Sequence, residues 1–209
     1  QMGLFSTNVT LGYAAIVFNT GGVEDGQRLQ DLAIDDLTAL LDRAPGWVAA
    51  RHRLAEAIQN RIAMMVATGD VPGTTDLARA GIEAAAAGLE SSPDDHRLLT
   101  MRVAFRAHLA SVEVAASGDL DAAVEAAEAW VDEWPEGVPA HLQAAGLIAM
   151  CADAAPEEEA REDLFAAALD HVAVALDLGF EPPPGWPQQG EGVALLAERE
   201  DFRELLGRD

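Results

Sequence analysis

Lysine is missing from this 209-residue sequence: all 13 basic residues are arginine, set against 36 acidic ones, for a formal net charge of -23. So acidic a chain has little with which to neutralise phosphates, which argues against nucleic-acid binding and against docking on an anionic membrane. The acidity fits a basic protein partner, and equally plain solubility or adaptation to a salty cytoplasm. Cysteine is almost absent too. The lone Cys151 excludes an intramolecular disulfide, in keeping with a reducing, cytoplasmic compartment while leaving an exported mature domain open. It lies in an apolar stretch with no basic neighbour in sequence, the setting of a buried, inert thiol. Aromatic residues make up only 5% and long β-branched runs are lacking, so strands have little to be built from. No apolar run approaches the roughly 20 residues of a membrane span, and the most apolar window, 9–18, has no basic segment before it.

Reactive constellations are equally scarce. His52, His96, His108, His141 and His171 form no pair at metal-ligand spacing. Gly21 and Gly22 are followed by Glu24 and Asp25, an acidic approach hostile to phosphate. No hydrolase elbow surrounds Ser111 or Ser117. The acidic cluster at Glu157, Glu158, Glu159, Glu162 and Asp163 has a structural reading, since carboxylates favour the positive end of a helix dipole. The expectation is no catalytic residue, no metal site and no cofactor.

What the chain has is alanine and 50% hydrophobic residues, an all-α composition. The clearest stretch runs from Gly118 to Cys151. Leu120, Ala123, Val124, Ala127, Val131 and Trp134 recur at three- and four-residue steps, one apolar stripe on a helix. Pro135 and Gly137 end that helix, and a second follows at once, so the two are antiparallel neighbours. Further helices are expected over 28–43, 47–67, from Thr74 or Thr75 to about 92, from Asp94 or Asp95 to about 117, and from about 157 to 178. Residues 6–19 read as a helix closed by Gly21, with a strand as the alternative because Val9, Thr10, Ile16 and Val17 are β-branched. Residues 1–5 read as an added or unordered start, with Met2 the native beginning. Consecutive prolines make 180–191 an extended link, and 192–207 a short terminal helix. Glycine turns at 21, 69 and 118 fall 48 and 49 residues apart, the punctuation of a long repeat.

Gly118, Asp119, Ala123, Ala127 and Pro135 stand where the tetratricopeptide repeat family has its turn, its small second-helix residues and its closing proline. The stretch Gly118–Cys151 thus resembles one unit of that family, with Trp130 where alanine is usual. Elsewhere the pattern is similar but the period is longer. The resemblance implies a single domain over 1–209: a right-handed stack of antiparallel helical hairpins, an α-solenoid closed by the terminal helix. It also implies a non-catalytic scaffold or adaptor that binds a protein or peptide partner in the concave groove lined by the first helix of each pair. Mapped by the prolines, that groove takes His52, Glu56, Gln59 and Asn60 from one helix and Arg97, Thr100, Ala104 and His108 from the next, with Arg102 and Arg106 to the side. These arginines would either pair with a carboxylate of the partner or bridge to acids of adjoining helices. Lysine, which a carboxylate-clamping subclass of that family uses, is absent. A helical enzyme or small-molecule regulator with a pocket between helices is the alternative, and self-association into a homo-oligomer through unfinished array ends a third reading.

Overall fold

The computed structural model describes residues 2–186 and 191–207. Every regular element among them is helical: α1 (Met2–Asn19), α2 (Val23–Arg43), α3 (Val48–Ala67), a 3₁₀ turn (Pro72–Thr74), α4 (Thr75–Leu89), α5 (His96–Ser117), α6 (Leu120–Glu133), α7 (Val138–Ala154), α8 (Glu158–Asp177), α9 (Glu191–Ala194) and α10 (Glu200–Leu205). Residues 6–19 are helix and not strand: tertiary burial of Leu11 and Ala14 overrides the β-branched preference. The terminal helix expected over 192–207 is broken into two short pieces, and 187–190 of the expected link lie outside the described residues. Two compact units divide the chain at residue 109, inside α5: 1–109 and 110–209.

The helices end where local chemistry ends them. Gly69 follows α3 with φ +84°, a conformation open to glycine at no steric cost. Its amide donates to the Val66 carbonyl at 3.0 Å and the Asp70 amide to the Met65 carbonyl at 3.0 Å, the crossed pair that closes a helix C-terminus. Gly21 after α1 repeats both bonds, and the turn glycine Gly118 is also at positive φ. At the other ends, Asp95 Oδ1 accepts from the amides of Arg97 and Leu98 at 3.1 Å, and Asp119 Oδ1 from Ala122 at 3.1 Å. Each satisfies helix donors that would otherwise be orphaned. Thr74, in contrast, turns its hydroxyl back to the Val71 carbonyl at 2.6 Å and leaves α4 without a side-chain cap.

In the first unit α1–α2, α2–α3 and α3–α4 pack as successive antiparallel neighbours. Their core is Leu11, Ala33, Leu37, Leu41, Leu54, Ile58, Ile62, Met101 and Phe105 with small residues between. Small residues set the helix separations. Gly26 lies against the backbone of Phe18, and Gly81 against the ring of Phe105. Among the polar residues buried in this unit, Gln30 donates from Nε2 to the Ala57 carbonyl of α3 at 2.7 Å.

In the second unit α7 packs on α6, α8 and α9, and nine of its residues are buried, Cys151 among them. Burial pushes the Cys151 thiol up to about 11, because a thiolate there would be desolvated without a counter-charge. Ala168, Val172 and Ala175 of α8 are fully buried. Gly192 of α9 meets Gly146 of α7 backbone to backbone. The C-terminal segment is fixed by three contacts. Leu196 and Phe202 are buried. Trp186 packs edge-on against Phe180, ring centroids 4.9 Å apart, and lies 5.8 Å from Phe202. Arg199 reaches Glu162 of α8 with two nitrogens at 3.1 and 2.8 Å and sits 4.6 Å from the Phe165 ring centroid.

Candidate functional site

The first unit carries a groove of about 660 Å³ whose walls come from alternate helices, α1, α3 and α5. α1 contributes Asn8, Leu11, Gly12 and Ala15; α3 contributes Arg53, Glu56, Gln59 and Asn60; α5 contributes Arg97 and Met101. The α3 residues belong together because 53, 56 and 60 fall at i, i+3 and i+7, one face of a helix. On α5, residues 97 and 101 are one turn apart.

Glu56 is the electrostatic centre. Arg53 Nη1 donates to its Oε2 at 2.6 Å and Arg97 Nη2 pairs with its Oε1, so two guanidiniums from two helices converge on one carboxylate. The balance is one positive charge in a chain of net charge -23, flanked by three carboxamides, Asn8, Gln59 and Asn60, with Leu11, Ala15 and Met101 as apolar surface. Asn8 Oδ1 is buried with no hydrogen-bond partner among the described residues. A carboxamide both donates and accepts, as a peptide group does, so such a lining is suited to hydrogen-bonding a main chain.

Of the residues singled out from sequence, Glu56, Gln59, Asn60 and Arg97 meet in this groove. His52 does not line it: its Nε2 donates to Asp95 Oδ2 at 2.9 Å, so Asp95 caps α5 with one oxygen and ties α5 to α3 with the other. His108, on α5, is not among the groove lining and instead holds the 3₁₀ turn. Because the Thr74 hydroxyl already donates to Val71, His108 Nε2 is the donor in the 2.6 Å contact to Thr74 Oγ1. Arg102 and Arg106 are half-buried, engaged in other interactions and outside the groove lining. On α5 the groove face is Arg97 and Met101, one residue round from the expected Arg97 and Thr100. The sequence reading passed over Arg53, whose i, i+3 spacing to Glu56 was the signal available, and over the whole α1 wall.

The acids around Arg199 form a second charged cluster. Its hydrogen bonds hold the Glu162 and Asp201 carboxyls below the usual carboxylate range, which fastens the terminal segment to α8. Among the described residues, no group of three or more His, Cys, Asp or Glu is arranged to hold a metal ion, and no helix is long and apolar enough to cross a membrane. No protein-family model matches the chain, and none of the curated proteins is significantly similar to it.

Proposed function

We propose that this protein is a tetratricopeptide-like helical-repeat scaffold, a stack of hairpins with a terminal cap, and that its first unit binds an extended peptide of a partner protein. The observation that carries this reading is the convergence of Glu56, Asn60 and Arg97, with Arg53, Gln59 and Asn8, on one groove lined by alternate helices. The carboxamides would hydrogen-bond the peptide main chain, and a carboxylate of the partner would compete with Glu56 for Arg53 and Arg97 through charge-assisted bonds.

The competing reading is a small-molecule site, favoured by the groove's volume of about 660 Å³, which falls in the range of ligand pockets. Its polar lining speaks for the peptide, because such pockets are mostly apolar with few polar groups. The test is selection of a random peptide library on the purified protein, followed by affinity measurement with Arg97→Glu, Asn60→Ala and the surface control Arg79→Glu. Selected peptides should bind at least about 10-fold more weakly to the first two, a loss of roughly 1.4 kcal/mol, and unchanged to the control. Equal binding to all three, with circular dichroism intact, refutes the groove as the binding site.

A further inference from the structure

The second unit holds a group that no sequence spacing announces. His141, at the start of α7, and His171, on α8, are 30 residues apart in sequence, yet their Nδ1 atoms face each other at 3.2 Å. Both rings are sheltered: His141 is 5% exposed and the His171 side chain 12%. Each has its other nitrogen engaged. His141 Nε2 is 2.9 Å from the Pro135 carbonyl oxygen, and His171 Nε2 is 3.3 Å from Glu128 Oε1 of α6.

The acceptors at the two outer nitrogens constrain where the protons sit. A carbonyl and an ionised carboxylate only accept, so both Nε2 atoms carry hydrogen. With one proton each, both rings would then present bare Nδ1 lone pairs to one another at hydrogen-bond distance, an arrangement that repels. One further positive centre has to lie between them. A tetrahedral metal, bound at about 2.0–2.1 Å, would draw the two lone pairs together at an angle. Here the ring centroids are 5.5 Å apart, about the Nδ1 separation plus one ring radius at each end. The nitrogens therefore meet head on, which is the geometry of an N–H···N bond. The extra proton belongs on His171, whose cation is then balanced by Glu128.

We infer that His141 and His171 form a binding site for a single proton that clasps α6, α7 and α8, and that this makes the second unit pH-responsive. The chain of bonds runs Glu128 carboxylate, His171 imidazolium, His141 imidazole, Pro135 carbonyl. Loss of the proton leaves two facing lone pairs. Gain of a second puts N–H against N–H and opens the bridge. Other acids on the flanking elements, among them Asp132, Glu133, Glu136 and Asp170, are exposed, and the ion pair to the rings comes from Glu128. From α9, Gly192 and Val193 bring no titratable group to α7. The bridge therefore needs that one proton, and losing it or adding a second breaks it.

Ring-nitrogen NMR of the ¹⁵N-histidine-labelled protein tests this directly, with the two rings assigned by the signals lost in His171→Gln. Near neutral pH one ring of the pair should show two protonated nitrogens and the other only a protonated Nε2, and the two should protonate in separate steps on acidification. Glu128→Gln, at a half-exposed position that does not threaten folding, should move the first step to lower pH. The thermal midpoint of the wild-type protein should peak between the steps. Protonation of both rings in a single step, two neutral rings throughout the range, or a first step unmoved by Glu128→Gln would overturn the assignment.

Discussion

Replacing Gly26 by alanine, and Gly12 by alanine in parallel, sets one chemical change against two environments. Gly→Ala inside a helix ordinarily stabilises by about 1 kcal/mol, because the glycine backbone loses more freedom on folding. Gly12 lies in the middle of α1 with nothing within 4 Å of the added methyl, so this gain of roughly 0.5–1 kcal/mol should appear in full. Gly26 is buried in the first turns of α2, and a Cβ there would lie 2.7 Å from Phe18 Cβ and 2.9 Å from Phe18 Cα and N. Those atoms are mostly main chain and cannot rotate away, so α1 must move off α2 as a body. Overpacking of this kind costs about 1–3 kcal/mol, which offsets the propensity gain and leaves a net loss of up to roughly 2.5 kcal/mol. In a unit of about 100 residues that corresponds to a fall of roughly 4–8 °C per kcal/mol. Urea titrations followed by circular dichroism should therefore place Gly12→Ala above the wild type and Gly26→Ala below it, with similar slopes. A Gly26→Ala protein as stable as Gly12→Ala would show that α1 and α2 do not pack in this register.

Two further outcomes follow from the caps and the terminal latch. Asp95→Ala removes the α5 N-cap and the His52 bond together and should cost about 1–2 kcal/mol by urea denaturation, whereas Asp95→Asn, which can still cap, should recover most of it; equal losses would deny the cap its role. Arg199 holds Glu162 and Asp201 below the usual carboxylate range. A lowered folded-state value means stabilisation that is present above the unfolded carboxylate range, about pH 4, and lost as pH falls through the folded values. Arg199→Ala should accordingly lower the thermal midpoint at pH 7 and make progressively less difference below pH 4; a difference that persists at pH 2 would mean that packing on Phe165, not charge, fastens the segment.

Helix existence was legible in the sequence because its causes are local. Alanine content, three- and four-residue apolar spacing, Asp95 and Asp119 before helices, and glycines after them act within a few residues of one another. Which face of a helix is buried was less legible. On α2 the apolar spacing takes in Leu29, Leu32, Ala33, Leu37, Leu40 and Leu41, of which Ala33, Leu37 and Leu41 are buried together with Gly26 and Gln30, while Leu32 is 52% exposed. Gly26 and Gln30 join that face through close approach: α1 comes near enough that only glycine fits at 26, and the Gln30 amide nitrogen finds the Ala57 carbonyl. A polar residue reads as surface until its partner is known.

The site divides in the same way. Glu56, Asn60 and Arg97 were reachable from helix periodicity, since it fixes which residues of one helix share a face. Asn8 and the α1 wall were not, because two helices joined by no short connection come together only through packing. The two histidines show the limit most sharply: 30 residues of chain separate them, and nothing in their spacing encodes a 3.2 Å contact. The sequence by itself determined the helices, their ends and the excess of negative charge, all of which depend on neighbours along the chain. Only the tertiary structure decided which polar groups converge on a groove or share a proton, because those distances are set by how closely the helices pack.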